Sequence, residues 1–435
     1  MINYPSNLLR IFRGKRGMKR TICELFAGVG GFRLGFERQS KAWKTVWFSQ
    51  WEPGARTQWA HDCYAAHFGD PDPETTATDI AEVCRRLKKD PKLVPDHNLL
   101  VGGFPCQDYS VARSLQGAQG IEGKKGVLWW SIRDMLIAKG APFGLFENVD
   151  RLLKSPASQR GRDFGVILAC LNSLGYSAEW RVVNAADYGA CQRRRRTFIF
   201  AWKNATKFGK RSAKLEIEPR LRKDGFFAKA FPVKALGEVT TAELQREIGD
   251  VSDNFAFAFE NSGYMTDGKV WTAKCEPKTT APVPLADILD RNVDEKYYND
   301  DEKTLAKWKY LKGAKKIERT SKDGHKYVFS EGPIAFPDPI DLPARTMLTS
   351  ESSLNRSSHI IRDPETGRMR IITPNEADRI QGFVKPGHTG SWTDAHLKDR
   401  EPMPEKMRYF CMGNALVVPM ITRMAKVIDA IFDAE

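Results

Sequence analysis

Residues 21–35 read TICELFAGVGGFRLG. The apolar run Thr21–Phe26 reads as a strand, and it ends in a turn holding Gly28, Gly30 and Gly31 before a helical pattern begins. A strand that passes through a glycine turn into a helix brings backbone amides close to whatever binds there, at the helix N-terminus. The spacing is G-x-G-G and not the dinucleotide fingerprint G-x-G-x-x-G, so taken alone the turn suits a tight corner as well as a cofactor loop. Working outward, the same succession recurs through residues 1–202. Strands are predicted at Thr45–Trp51, Leu99–Gly103, Phe143–Glu147, Ser177–Val183 and Thr197–Trp202, with helices at Ala55–His67, Leu128–Lys139 and Arg162–Leu174. The alternation predicts an α/β fold with a doubly wound, mainly parallel sheet. Val418–Phe432 is a further amphipathic helix, expected to pack back on this domain.

The chain has 435 residues, 41% hydrophobic and 28% charged, enough for two or three domains at roughly 150 residues each. No apolar run reaches the roughly 18 residues of a membrane span, and MINYPSNLLRIFRGKRG lacks the cleavage site of a secretory signal; a cytoplasmic protein is expected. Eight cysteines include no C-x-x-C pair, which argues against a zinc knuckle or a thiol-redox protein. Sixty-eight basic residues against 54 acidic ones give a net charge of +14, so a polyanion is the first partner to consider. Four units are expected: a basic arm at 1–18, a catalytic domain at 19–202, a second domain of weak periodicity at 203–370, and a returning segment at 371–435.

Several residues are placed for ligand chemistry. Glu52 lies about 20 residues beyond the glycine turn, where doubly wound folds put a carboxylate for ribose hydroxyls. Trp51 beside it suits an adenine ring, and Asp79 with Ile80 suits an adenine amine with an apolar neighbour. Residues 102–112, GGFPCQDYSVA, put Cys106 just after a strand, at the carboxyl end of a parallel sheet where ligands bind. Gly117, Gly120, Gly123 and Gly126 then punctuate the chain as a mobile lid would be.

These segments, in this order, resemble the DNA (cytosine-5)-methyltransferase family. The resemblance rests on FAGVGG, the Glu52 and Asp79 regions, GFPCQ, FENV at 146–149, QRRRRTF at 192–198, RTMLTS at 345–350, RIITPNEADRIQGF at 370–383 and GNALVVP at 413–419. It implies a Rossmann-like catalytic domain, S-adenosylmethionine as cofactor, no metal, and double-stranded DNA as substrate. By the same resemblance Cys106 is the nucleophile toward carbon 6 of a flipped cytosine, while Glu147 hydrogen-bonds and protonates the ring. Arg194 and Arg196, two apart on a strand and so on one face, are expected to hold the base carbonyl and a phosphate. Phe26, Ala27, Gly28, Gly30, Gly31, Trp51, Glu52, Asp79, Ile80, Pro105, Leu128, Asn414, Ala415 and Val417 are the implied cofactor residues.

DNA contacts are expected from Gln107, Ser110, Gln192, Arg345 and Thr349, with Gln116 or Gln119 filling the vacated stack. The recognition stretch includes KWKYLKGAKKIERTSKDGHKY, 307–327, where Lys309, Lys312, Lys315 and Lys316 are expected on phosphates and Arg319 on guanine. That stretch has some resemblance to members reading GG-x-CC-type sites. A monomer with a cognate restriction endonuclease as functional partner is expected. The alternatives are a transfer-RNA methyltransferase of the same family and a catalytically silent DNA-binding repressor.

Overall fold

The computed structural model describes residues 17–104, 128–320, 324 and 326–435. Strands form at the six predicted apolar runs: β1 (Thr21–Leu25), β2 (Lys44–Ser49), β3 (Leu99–Gly103), β4 (Phe143–Val149), β5 (Tyr176–Asn184) and β6 (Arg195–Lys203). The first four stand parallel in the order β2-β1-β3-β4, which puts their carboxyl ends along one rim. β6 then pairs antiparallel with β4, and β5 with β6.

Alternate residues feed two cores, one on each face of the sheet. Cys23, Leu25, Leu100, Phe146 and Ile199 meet the helices Ile80–Leu87, Trp129–Lys139 and Arg162–Ser173. Ile22, Leu99, Val101, Phe143 and Phe200 meet Gly31–Gln39 and the last helix, Val418–Ala434. Helices on both faces of a sheet with four adjacent parallel strands make the doubly wound, Rossmann-like fold. The last helix packs back as expected: Arg20 pairs with Asp429 at 2.6 Å, and Gly35 lets it approach so closely that an added Cβ would lie 2.6 Å from Ile421.

Residues 203–370 divide. β7 (Val233–Glu243), β8 (Ser262–Thr266) and β9 (Lys269–Pro277) extend the same sheet to nine strands, ordered β2-β1-β3-β4-β6-β5-β8-β9-β7. Beyond them the chain makes an excursion whose two ends meet: Leu285 N donates to Leu342 O at 2.9 Å and Ala286 N to Ile340 O at 2.8 Å. The excursion carries the helix Glu302–Lys312 and the hairpin of β10 (Lys315–Thr320) and β11 (Lys326–Glu331). A buried carboxylate, Asp338, ties the excursion to the chain that follows it, accepting from Lys312 Nζ at 2.7 Å within it and from Arg345 Nε at 2.5 Å and Ile360 N at 2.9 Å beyond it.

Candidate active site

The carboxyl rim of the parallel strands is built first by the loop after β1. Phe26, Gly28 and Gly30 all take positive φ, 55°, 55° and 89°, and hydrogen bonds fix the resulting corner: Ala27 N to Ser49 O at 2.9 Å, Gly28 N to Gln50 Oε1 at 2.7 Å, and Gly30 N to Ala27 O at 2.9 Å. The glycines differ in purpose. A Cβ on Gly30 would lie 2.5 Å from the Phe68 ring and one on Gly31 2.8 Å from Leu416, whereas one on Gly28 would meet nothing within 4 Å. Gly30 and Gly31 serve packing, while the side of Gly28 where a Cβ would stand faces open space.

β2 ends at Ser49, so Trp51 and Glu52 lie beyond its carboxyl end. Trp51 is exposed, and the backbone of Glu52 is held at both polar groups by the Gln58 amide, at 2.7 and 3.0 Å. Burial pushes the Glu52 carboxyl up, and its charge is felt at Cys411, in the helix Glu405–Asn414. The Glu52 carboxyl thus lies on the side of the rim toward the helix Glu405–Asn414. Asp79 caps the helix Ile80–Leu87, accepting from Ala81 N at 2.9 Å, and Ile80 is buried. Asn414 is exposed, Ala415 and Leu128 are partly buried, and Val417 is buried in the core. Ala27 turns its methyl inward against Phe48 and Tyr64, leaving only its backbone toward the loop.

Glu147 lies near the end of β4, in register with Gly103, the last residue of β3. Its Oε1 lies 2.8 Å from Arg196 Nε, and its Oε2 is so close that a Cβ on Gly103 would stand 3.1 Å away. The chain leaves this point for Cys106, three residues on, and Asn148 Nδ2 fastens the departing Phe104 carbonyl at 2.9 Å. Pro105, Cys106, Gln107, Ser110, Gln116 and Gln119 lie outside the described residues.

Arg194 corrects an expectation. It is buried, with Nη1 on Met347 O at 2.9 Å and Nη2 on Gly413 O at 2.8 Å, and so is committed to the protein's own carbonyls instead of a base or a phosphate. Burial first, and the neighbouring Arg196 charge second, work against its own positive charge. It braces RTMLTS against GNALVVP. Gln192 is likewise fully buried, accepting from Met347 N at 3.2 Å, and is no DNA contact. Lys312 and Arg345 are corrected for the same reason: both are committed to Asp338, with the Lys312 side chain fully buried. Lys309, Lys316, Arg319 and Thr349 are exposed and Lys315 partly so. Arg319 sits over the Phe329 ring at 4.0 Å and Lys315 over Tyr310 at 4.8 Å. The sequence reading missed Gln50 and Asn148, whose positions just beyond β2 and within β4 were the available signal.

A family model described as C-5 cytosine-specific DNA methylase matches residues 20–430. The chain belongs to that family. It is a DNA (cytosine-5) methyltransferase, of an S-adenosylmethionine-dependent family whose general chemistry is base flipping and a covalent cysteine adduct. It is 48% identical over 418 residues to the Type II methyltransferase M.Sau3AI of Staphylococcus aureus, covering 95% of this chain and 96% of that one. It is 26% identical to the Type II methyltransferase M.SsoII of Shigella sonnei, over 99% of this chain and 83% of that one. Among solved structures, the Entamoeba histolytica methyltransferase EhMeth superposes with a TM-score of 0.54 at 16% identity, covering 95% of this chain and 99% of that one. That likeness shows the shared fold. No helix of the described residues is long and apolar enough to cross a membrane.

Proposed function

We propose that this methyltransferase modifies cytosine within one short duplex sequence, with Cys106, Glu147 and Arg196 as its catalytic residues. The observation that carries the reading is the Glu147–Arg196 pair, 2.8 Å apart beside Gly103 at the point where the chain departs toward Cys106. Carbon 5 of cytosine is a poor nucleophile. Addition of the Cys106 thiolate to carbon 6 gives carbon 5 enamine character, while Glu147 hydrogen-bonds the exocyclic amine and delivers a proton to the ring nitrogen. Arg196 orients Glu147 and presents its remaining N–H groups to the base carbonyl. After carbon 5 has been methylated, a base removes its proton, the electrons restore the carbon 5–carbon 6 double bond as the thiolate leaves, and the ring nitrogen returns its proton to Glu147. S-adenosylmethionine supplies the methyl as a sulfonium group; the loop Phe26–Gly31 with its open side at Gly28, together with Trp51, Glu52, Asp79 and Asn414, are the residues that would hold it.

Sequence reading falls to the excursion at 285–342, whose exposed Lys309, Lys316 and Arg319 suit phosphate and base edges. We take the protein to act as a monomer and to serve a restriction endonuclease of the same specificity. The test is transfer of labelled methyl groups to unmethylated duplex DNA and to transfer RNA, for wild type and Cys106→Ala, with base-resolution mapping. Transfer by wild type alone, to cytosines of one DNA motif, is expected; transfer to transfer RNA only would overturn the reading.

A further inference from the structure

Trp392 lies outside every motif named above, in the loop between QGF and the helix Glu405–Asn414, yet it touches the crest of the glycine loop. Its indole Nε1 donates to Val29 O at 2.8 Å. Val29 stands between Gly28, whose Cβ side faces open space, and Gly30, which is locked against Phe68 and Tyr64. The indole itself has little freedom. It stacks on His67 with centroids 3.5 Å apart and planes 11° from parallel. Its backbone is held from both directions: Trp392 N donates to the buried Asp378 carboxylate at 2.7 Å, and Trp392 O faces His67 Nε2 at 2.8 Å. Asp378 fixes the flanking residues too, accepting from Ser391 Oγ at 2.9 Å and Thr393 N at 3.1 Å.

We propose that Trp392 is a positioning residue for the cofactor, setting the orientation of the Val29–Gly30 peptide and through it the amides around Gly28. The inference rests on the reading of Phe26–Gly31 as the cofactor loop. The amide of that peptide, Gly30 N, donates to Ala27 O at 2.9 Å, and the indole takes its carbonyl at the opposite end, so the peptide is pinned at both polar groups and loses one of the two pins without the indole. A group that tunes the ground-state fit of one ligand changes affinity for that ligand and leaves the chemical step alone.

The experiment compares wild type, Trp392→Phe, His67→Phe and Gly28→Leu, each checked for folding by thermal melting. S-adenosylhomocysteine affinity is measured by calorimetry, DNA affinity in parallel, and turnover at saturating cofactor. Trp392→Phe keeps an aromatic ring for stacking on His67 and removes the donor, at the cost of part of the packing on Phe68 and Phe383. Its dissociation constant for S-adenosylhomocysteine is expected to rise about five- to tenfold, the worth of one hydrogen bond, with DNA affinity and saturated turnover held at the wild-type level. His67→Phe, which removes the shortest of the contacts to the Trp392 carbonyl and leaves Ala395 N at 3.4 Å and Cys63 Sγ at 3.6 Å, is expected to move the same constant in the same direction. Unchanged cofactor affinity in a folded Trp392→Phe protein overturns the proposal. So does a matching loss of DNA affinity and turnover, since that reports general loosening. Wild-type affinity in Gly28→Leu would instead remove the cofactor-loop reading, and the proposal with it.

Discussion

Glu24, the residue before the last of β1, is fully buried with the Tyr64 hydroxyl donating to its Oε2 at 3.1 Å. Burial pushes its carboxyl up to about 8, and the Arg33 charge and Tyr64 hydroxyl, which pull the other way, do not offset it. In the unfolded chain the group ionises near its ordinary 4.5. Between those values the folded protein holds a proton that the unfolded chain has lost, so stability falls as pH rises through that window. Glu24→Gln removes this part of the slope, on the order of 1–3 kcal/mol between pH 5 and pH 8. Urea midpoints at the two pH values should lie closer together in the variant than in wild type; an unaltered spacing counts against a protonated Glu24. At the rim, Glu147→Gln keeps a hydrogen-bonding group but gives up the proton, and saturated turnover should drop about 10²–10⁴-fold. A drop confined to DNA affinity would mean that Glu147 only holds Arg196.

The packing of the last helix on Gly31–Gln39 depends on Gly35, where added carbon atoms would press on Ile421. Gly35→Val is expected to cost about 1–3 kcal/mol as the two helices are forced apart, visible as a lower melting temperature; a melt within a degree of wild type would show that the interface yields. These elements were legible in the sequence because their chemistry is local. β3 and β4, covered on both faces, read as LLVGG and FGLFENV, and the helix Val418–Ala434 repeats apolar residues with helical spacing. β7 carried no such signal: it is one of the two edge strands, largely exposed, and its VKALGEVTTAE shows weak alternation. At the site, Glu147 and Arg196 were singled out through the motifs FENV and QRRRRTF, and the structure pairs them at 2.8 Å. Arg194 and Lys312 were misread, because a positive side chain does not disclose its partners, and these are a pair of distant carbonyls and a carboxylate 26 residues away.

Across the whole molecule, the excursion separates cations that hold structure from cations that face solvent. Replacing Lys309, Lys316 and Arg319 together by alanine should reduce the slope of log affinity against log salt by up to about 2.7, if all three neutralise phosphates. Lys312→Met should leave that slope intact and lower stability, because it strips a partner from the buried Asp338. The same slope for both proteins would mean that the exposed cations are spectators. The excursion leaves and rejoins the body at Leu285–Leu342 and Ala286–Ile340, two hydrogen bonds side by side. A segment with abutting ends behaves as a cassette: exchange by recombination at those points need not move β3, β4 or the glycine loop. Exchange of the segment takes two crossovers, one at each seam, and leaves the chain on either side of it as it was inherited.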